Sequence, residues 1–370
     1  MTPQQASAPP TAPPDPSPAP RLDALLAAAL APRAASLAAD ARHEGALRLF
    51  NGFSEGFPRL VVDLYGATLV LHNQADPAPA GDAAVAEALA FYQEACPWLT
   101  AAVVKARLAA SQEERHGRLL LGDRPAAWVR ENGVRYALDI LGGHDCGLYL
   151  DTRGLRAWAR AALDGRTVLN CFAYTGSLGV AALAGGAKRV LQLDRSRAAL
   201  NVAKTSCTLN GLPIRRPDFL TGDFWDLTAR LRRDSSTFDC VILDPPFFAG
   251  GARSKVDLAD GGLALMNKVR PLVADGGHLV VVNNAVFVSG QAFTAALERV
   301  CGDGYLSLER RIDVDEDVAG FPETRVGVDV ADPAPFNHST KIAVLAVRRK
   351  DARAGSPAIP ALDADVSAPD

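Results

Sequence analysis

The sequence has little of what marks metal-binding, secreted or strongly nucleic-acid-binding proteins. Its 370 residues include only six cysteines, which show no paired metal-ligand spacing and mostly lie in apolar runs. This usage is typical of reduced, cytoplasmic proteins, so we expect a cytoplasmic protein without a metal site. The formal net charge of −3 is not that of a protein that binds nucleic acid through its overall charge. Arginine clusters such as Arg215–Arg216 leave room for a local basic patch, although such clusters are more often solvated surface.

The chain also lacks a long uninterrupted hydrophobic run. Residues 1–20 hold eight prolines and one charged residue, with neither a basic region nor an apolar core, so we expect disorder rather than a signal or transit peptide. The alanine- and leucine-rich stretch at 21–40 is interrupted by Pro32. It predicts a short helix, too short and polar to cross a bilayer, and we expect no membrane partner. The tail at 351–370, rich in proline, alanine and aspartate, is expected to be disordered.

What is present fits an ordinary enzyme with a large core. Hydrophobic residues make up 48% of the chain and charged residues 22%, over a length that suits one to three domains. Residues 41–130 alternate short strand candidates with one helix, which predicts a small N-terminal α+β domain. Residues 131–350 alternate strands with helices. That pattern predicts an α/β domain with a doubly wound, mostly parallel sheet.

Four strand-like segments between residues 167 and 248 end in residues that a nucleotide-binding sheet uses. The first runs into a glycine turn, and the second ends at Asp194, 18 residues after Gly176, close to the spacing of about 20 in dinucleotide folds. The four segments are Thr167–Phe172, Arg189–Leu193, Asp218–Thr221 and Phe238–Leu243. The residues that follow them are, in the same order, Tyr174–Gly179, Asp194, Gly222–Asp223 and Asp244–Phe247. Ligands of open α/β sheets bind at the carboxyl ends of strands, so these residues predict one shared site.

Each of these residues also has a purely structural interpretation. Gly176 and Gly179 follow a strand, as glycines do in ordinary helix–sheet packing. Asp194 precedes Ser196, a candidate helix N-cap, so its carboxylate could serve helix geometry alone. Asp223 could cap the helix that follows it. The ordered set, rather than any single residue, favours a cofactor site.

The Asp-Pro-Pro-Phe turn at 244–247 is harder to explain structurally. Two consecutive prolines stop both a β-ladder and a helix directly after an apolar strand. Such a rigid turn can aim the Asp244 carboxylate and the Pro245 carbonyl at an amino group. Phe247 then offers a stacking face for a base that has left its helix.

Together these segments resemble the class I S-adenosylmethionine-dependent methyltransferases. Further segments narrow the resemblance to the large-subunit ribosomal RNA methyltransferase family that methylates cytosine at C5. That family's linker domain is similar to Asn51–Gly52, Gly56–Pro58 and Val61–Gly66 of this chain. The entry to its catalytic domain is similar to Glu131–Gly133 and Gly147–Arg153. The resemblance covers roughly residues 40–350 and implies a Rossmann-like sheet, S-adenosyl-L-methionine as cofactor and an RNA substrate, ribosomal by resemblance. The sequence leaves open whether the protein forms a homodimer.

The resemblance also implies roles for individual residues. The target group meets the methyl donor at Asp244, Pro245 and Phe247. The donor pocket contains Tyr149, Asp151 and Arg153 before the sheet, then Asn170, Tyr174, Thr175, Gly176 and Gly179, with Asp194 at the ribose and Asp223 at the adenine end. The family has glutamine in place of Thr152 and a lysine–threonine pair in place of Asp145–Cys146. These departures leave a surface salt bridge between Asp151 and Arg153 as the alternative.

Two larger departures bear on the reaction. The family begins with a small RNA-binding barrel, whereas the resemblance here starts near residue 43. C5 of cytosine becomes nucleophilic only after a thiolate adds at C6, and the family's cysteine follows strand five. This chain has Asn283–Asn284–Ala285 there and no cysteine between residues 276 and 290. We therefore expect a nitrogen acceptor on RNA. The alternatives are a C5 enzyme with an unrecognised thiol, a non-catalytic protein that binds S-adenosylmethionine or RNA, and a protein or small-molecule substrate.

Overall fold

The computed structural model describes residues 21–109, 111, 115–143, 145–246 and 262–349. Phe247, the expected stacking residue, lies outside the described residues. So do residues 1–20 and 351–370, for which disorder is expected.

The N-terminal part consists of two helices packed on a five-stranded sheet. The elements are α1 (Leu22–Ala39), β1 (Ala46–Asn51), β2 (Leu60–Tyr65), β3 (Thr68–Asn73), α2 (Asp82–Ala95), β4 (Ala101–Ala106) and β5 (Arg118–Leu121), with the strands in chain order across the sheet. Strands β3 and β4 are parallel and are connected through α2, whereas the other pairs are antiparallel. Sequence patterning predicts all of these elements except β5, whose four residues are too few for a clear alternation.

Helix α1 covers nearly all of the stretch at 21–40 in which a short helix is predicted. It has 18 residues with Pro32 inside, and by length and composition alone it could span a membrane, so the expectation that it is too short and polar was wrong. In the fold it packs on the N-terminal sheet. Its apolar side chains Leu22 and Leu26 belong to the core, and the guanidinium of Arg33 is buried against Glu55 at 2.8 Å.

The rest of the chain forms a β-hairpin and a seven-stranded sheet. The hairpin pairs β6 (Trp128–Glu131) with β7 (Val134–Ala137). The sheet has the order β10-β9-β8-β11-β12-β14-β13, built from β8 (Thr167–Cys171), β9 (Arg189–Asp194), β10 (Phe219–Thr221), β11 (Phe238–Leu243), β12 (Val273–Asn283), β13 (Leu306–Ile312) and β14 (Lys341–Val347). Only β14 runs against its neighbours β12 and β13. The predicted α/β class with a doubly wound, mostly parallel sheet is confirmed.

Helices cover both faces of this sheet and connect its strands. They are α3 (Arg153–Ala162), α4 (Ser177–Ala184), α5 (Arg197–Leu209), α6 (Phe224–Arg233), α7 (Leu263–Val269), α8 (Gly290–Cys301) and the single turn α9 (Glu316–Ala319). The chain runs outward from β8 to β10 and then restarts on the other side of β8 with β11. A ligand-binding crevice forms at such a switch point, so the fold predicts a ligand site at the carboxyl ends of β8 and β11.

The two predicted units share one hydrophobic core. Every residue of β2 and β3 is buried, so both faces of the N-terminal sheet are covered. Helices α1 and α2 cover one face, and the other packs into a cluster that joins Tyr65 and Val103 to Val168 and Ile342 of the large sheet. The sheet is therefore held firmly against the α/β part.

Candidate functional site

A cavity of about 1010 Å³ opens at the switch point of the large sheet. It lies at the carboxyl ends of β8, β9 and β11, as the sequence predicts. Six of the predicted site residues line it, namely Tyr149, Asp151, Tyr174, Asp194, Asp223 and Asp244. The cavity thus brings the expected donor residues and the expected acceptor residue into one space.

The turn after β8 has an unusual backbone. Phe172 and Tyr174 both adopt left-handed conformations, with φ of 57° and 50°. Such conformations cost of order 1 kcal/mol or more for residues other than glycine and are concentrated at functional sites. Gly176, with φ of 72°, is the N-cap residue of α4, and a Cβ atom there would lie 2.6 Å from Cβ of Ala203. Glycine is therefore required at this position by both conformation and space.

Four predicted cofactor-binding residues do not line the cavity, namely Asn170, Thr175, Gly176 and Gly179. Asn170 Nδ2 donates to Oε1 of Gln192 at 2.8 Å, and a Cβ on Gly179 would lie 2.2 Å from Nε2 of the same glutamine. The Thr175 hydroxyl donates to the Gly147 carbonyl. These residues shape the turn from beneath. Gln192 is buried in the middle of β9, and no sequence motif singled it out.

Asp194 connects the two turns that flank the predicted ribose position. One carboxylate oxygen accepts from the backbone N–H of Tyr174 and the other from that of Ser196, both at 2.7 Å. The actual cap of α5 is the Ser196 hydroxyl, which accepts from the Ala199 N–H at 3.1 Å. Because each carboxylate oxygen can accept more than one hydrogen bond, Asp194 keeps acceptor capacity toward the cavity.

The adenine end of the site combines a helix cap with aromatic rings. Asp223 caps α6 by accepting from the Trp225 N–H at 2.8 Å, so its capping interpretation is correct, and it also lines the cavity. Phe224 lines the cavity as well, and its ring stacks on Phe172 at a centroid distance of 4.7 Å. These rings give that end of the cavity an apolar wall.

Asp244 follows β11 and lines the cavity. Burial and the nearby charge of Asp151 raise the pKa of Asp244 to about 7. Among the residues that the structure describes, no group donates a hydrogen bond to the Asp244 carboxylate. The Pro245 carbonyl accepts from Asn284 Nδ2 at 3.4 Å, which ties the proline turn to the end of β12.

Tyr149 and Asp151 enter the cavity, whereas Arg153 does not. The Tyr149 hydroxyl donates to Asp145 and the Thr340 hydroxyl donates to Asp151, each at 2.7 Å. Arg153 pairs with Asp317 at 2.8 Å and donates to the Ala46 carbonyl at 3.0 Å. Both the expected place of Arg153 in the pocket and the alternative salt bridge with Asp151 were therefore wrong.

A second wall of the cavity comes from residues that the sequence did not indicate. We call it the acceptor wall; its members are Arg48, Asn51, Phe53 and Ser54 from β1 and the turn after it, and Arg325, Val328 and His338 from the segment before β14. Burial lowers the pKa of His338, and its Nδ1 accepts from the Thr340 N–H at 3.0 Å. The neutral ring consequently carries its hydrogen on Nε2.

The cysteines are far from nucleophilic. None of the six lines the cavity; all are free thiols, and only Cys301 is not fully buried. Burial raises the pKa of Cys146 to about 12, and it also raises the pKa of Cys171 and Cys240. Because the thiolate is the reactive form, these cysteines lack the property that C5 chemistry needs.

The family of the chain emerges from comparison with known sequences. A family model described as S-adenosylmethionine-dependent methyltransferase matches residues 47–304. Two relatives, from Photobacterium profundum and Erwinia tasmaniensis, are both named ribosomal RNA large subunit methyltransferase I and are 32% and 33% identical over 267 residues. The alignments cover 72% of this chain and 66% of each relative, so the chain spans just under two thirds of their length.

Solved structures show the same fold. SMU.776, named as a methyltransferase complexed with SAH, superposes with a TM-score of 0.75 at 22% identity, over 88% of this chain and 81% of that chain. A protein from Agrobacterium tumefaciens named as a SAM-dependent methyltransferase gives a TM-score of 0.55 at 19% identity, over 78% and 87%.

Proposed function

Since the chain belongs to the S-adenosylmethionine-dependent methyltransferases, as its sequence predicts, we propose that it methylates RNA at a nitrogen atom. One observation carries the proposal. A single cavity joins the strained turn after β8 and Asp194 to Asp244 at the proline turn, and no cysteine reaches it. The reactive methyl group would come from S-adenosylmethionine, and the acceptor from the substrate.

The cavity fits the cofactor in size and in charge. Among the described residues, its wall carries six carboxylates and four guanidinium groups, so this part of the wall is net acidic and favours a cationic sulfonium over a neutral or anionic ligand. The members are Asp145, Asp151, Asp194, Asp223, Asp244 and Asp329, and Arg48, Arg107, Arg195 and Arg325. We assign Asp194 to the ribose hydroxyls and the rings near Phe224 to the adenine. Tyr149 and Asp151 would then lie at the amino-acid end of the cofactor.

RNA is the proposed substrate because of the relatives. Their names refer to ribosomal RNA, and they match 72% of this chain. The family model matches residues 47–304, a range that includes Asp244. The net charge of −3 means that RNA must be held by a local surface rather than by overall attraction. Large-subunit ribosomal RNA is therefore the first substrate to test.

Asp244 explains how a nitrogen acceptor would be used. An amino or ring nitrogen has a lone pair for the methyl carbon, so no covalent bond to the enzyme is needed and positioning is the main requirement. As the nitrogen–carbon bond forms and the carbon–sulfur bond breaks, the nitrogen becomes acidic and must lose a proton. A carboxylate with a pKa of about 7 is well matched to receive it near neutral pH.

Donor binding should depend on Asp194. Replacing it with alanine removes a charged acceptor for the ribose hydroxyls and also releases the N–H of Tyr174. Charged hydrogen bonds are worth about 1.5–3 kcal/mol, so the dissociation constant for S-adenosylmethionine should rise about 10-fold to 150-fold. Calorimetry measures this, with the exposed Asp234→Ala as control. Equal affinities for Asp194→Ala and wild type would remove Asp194 from the donor site.

Nitrogen chemistry should leave the cysteines dispensable. Each of the six single Cys→Ala variants should keep its turnover within a few-fold, apart from losses of folded protein through packing. The wild type should form no covalent complex with RNA that contains 5-fluorocytosine, because no thiolate adds to the base. Denaturing gels would detect such a complex, with a cytosine-C5 methyltransferase as positive control. A trapped complex that one Cys→Ala variant abolishes would instead establish the C5 mechanism.

A further inference from the structure

Phe53 is an exposed aromatic residue on a buried support. Its side chain is 59% exposed and lines the cavity. Its neighbours in the same turn, Asn51, Ser54 and Glu55, are all buried. A single exposed apolar residue is ordinary on a protein surface. What distinguishes Phe53 is its position in the cavity and the rigidity of the turn that carries it.

The turn is fixed from the inside by Glu55. Its carboxylate accepts hydrogen bonds from Arg33 Nη1 at 2.8 Å, from the Asn51 N–H at 2.7 Å and from the Thr324 hydroxyl at 2.7 Å. The Arg33 and Glu55 side chains are 0% and 1% exposed. Buried, fully bonded charges of this kind hold one conformation, because losing any partner would leave a charge unpaired.

The segment before β14 clamps the turn from the other side. The backbone N–H groups of Val326 and Gly327 donate to the Ser54 carbonyl at 2.7 and 3.0 Å. A Cβ on Gly327 would lie 2.2 Å from the Phe53 carbonyl oxygen, so this close approach requires glycine. The backbone of Phe53 is thus held on both sides while its ring stays in the cavity.

A fixed cation lies on the same wall as the ring. Arg48 lines the cavity with its side chain 22% exposed, and its Nε and Nη2 donate to Asp63 at 2.8 and 3.3 Å. Asp63 is itself held by His72 Nε2 at 3.1 Å. An aromatic face and an oriented guanidinium in one cavity suit a ligand that is flat and aromatic on one side and polar or anionic on the other. An unpaired nucleotide has that character, and a purely apolar ligand does not.

We infer that Phe53 is the face on which the acceptor nucleobase stacks after it leaves the RNA helix, and that Arg48 contacts the polar part of the same nucleotide. The inference rests on the proposed RNA methylation and adds a residue that holds the base in the cavity that Asp244 also lines. It assigns to the N-terminal sheet a direct part in substrate binding.

The test compares three replacements of Phe53 on one RNA. The substrate is large-subunit ribosomal RNA from a strain in which the gene is deleted, with radiolabelled S-adenosylmethionine as donor. Base–aromatic stacking sets the expected loss in kcat/KM for Phe53→Ala at about 5-fold to 150-fold. Phe53→Leu, which is apolar but not aromatic, should lose as much, whereas Phe53→Trp should stay within a few-fold of wild type. Ile214→Ala, an exposed apolar residue outside the cavity, is the matched control.

Three further measurements separate stacking from other roles. Donor affinity by calorimetry, melting temperature and mass by light scattering should all be unchanged in Phe53→Ala. Wild-type activity in Phe53→Leu would show a merely apolar contact, and a changed mass would show a contact between copies of the chain; either result overturns the inference. A wild type that methylates no RNA would refute the proposed function itself, which is a different result from an active enzyme that does not need Phe53.

Discussion

Asp244→Asn should lower the turnover number on RNA by about 100-fold or more while leaving donor affinity within a few-fold of wild type. Asparagine keeps the size of the side chain but cannot take up a proton, and losing a positioned base or charge at the reacting atom has costs of this order. Asp244 lines the cavity, and its pKa is raised to about 7. Single-turnover assays with preformed enzyme–donor complex would isolate the chemical step.

The pH dependence gives a second readout for the same residue. Burial raises the pKa of Asp244, so in the free enzyme the carboxyl is protonated below about pH 7 and charged above it. If the carboxylate is the working form, kcat/KM for the donor should rise with pH and level off above about 7, and Asp244→Asn should lose that rise. The exposed Asp226→Asn serves as control. A wild-type rate that falls across pH 7 would contradict the role of Asp244 as base.

Glu131→Ala should lower the free energy of unfolding by roughly 3–5 kcal/mol. Both carboxylate oxygens of Glu131 accept from Arg156, from Nε and Nη2 at 2.7 Å, and the two side chains are 8% and 0% exposed. Removing the glutamate leaves a buried guanidinium without its counter-charge. Urea unfolding monitored by circular dichroism would measure the loss.

Two controls identify the unpaired charge as the cause. The exposed pair Arg230–Asp234, with side chains 69% and 58% exposed, should contribute little when Asp234 is replaced by alanine. The double variant Glu131→Leu, Arg156→Met removes both charges and should recover much of the stability lost in Glu131→Ala. A double variant as unstable as the single one would show that hydrogen bonds to other groups, and not the charge, account for the effect.

The parts of the fold that could be predicted depend on local signals. Each strand that bears a predicted site residue is a short apolar run followed by a turn motif, and β8, β9 and β11 start and end within one residue of their predicted limits. Strand β13 was not predicted because five of its seven residues are exposed, so it lacks an apolar period. Helix α1 lies within its predicted limits, but it continues through Pro32, a residue type that usually interrupts a helix.

The acceptor wall could not be predicted because it exists only after distant segments meet. Arg48 and Phe53 come from the N-terminal sheet, and His338 comes from almost 300 residues further along the chain. None of them belongs to a local motif with a recognisable spacing. Arg153 shows the opposite error: a motif indicated its place in a pocket, but its guanidinium donates to Asp315, to Asp317 and to the Ala46 carbonyl outside the cavity.

The strand order of the large sheet also constrains how the protein is made. Strand β14 (residues 341–347) is the last described strand, yet it lies between β12 and β13 and pairs with both. While a ribosome is still synthesising the chain, the apolar edge of β12 therefore waits without its partner, and unpaired strand edges promote association between chains. Cotranslational folding of this sheet is completed only after Val347 has left the exit tunnel. Premature termination before Lys341 would yield a polypeptide in which the edge of β12 stays unpaired and prone to aggregation.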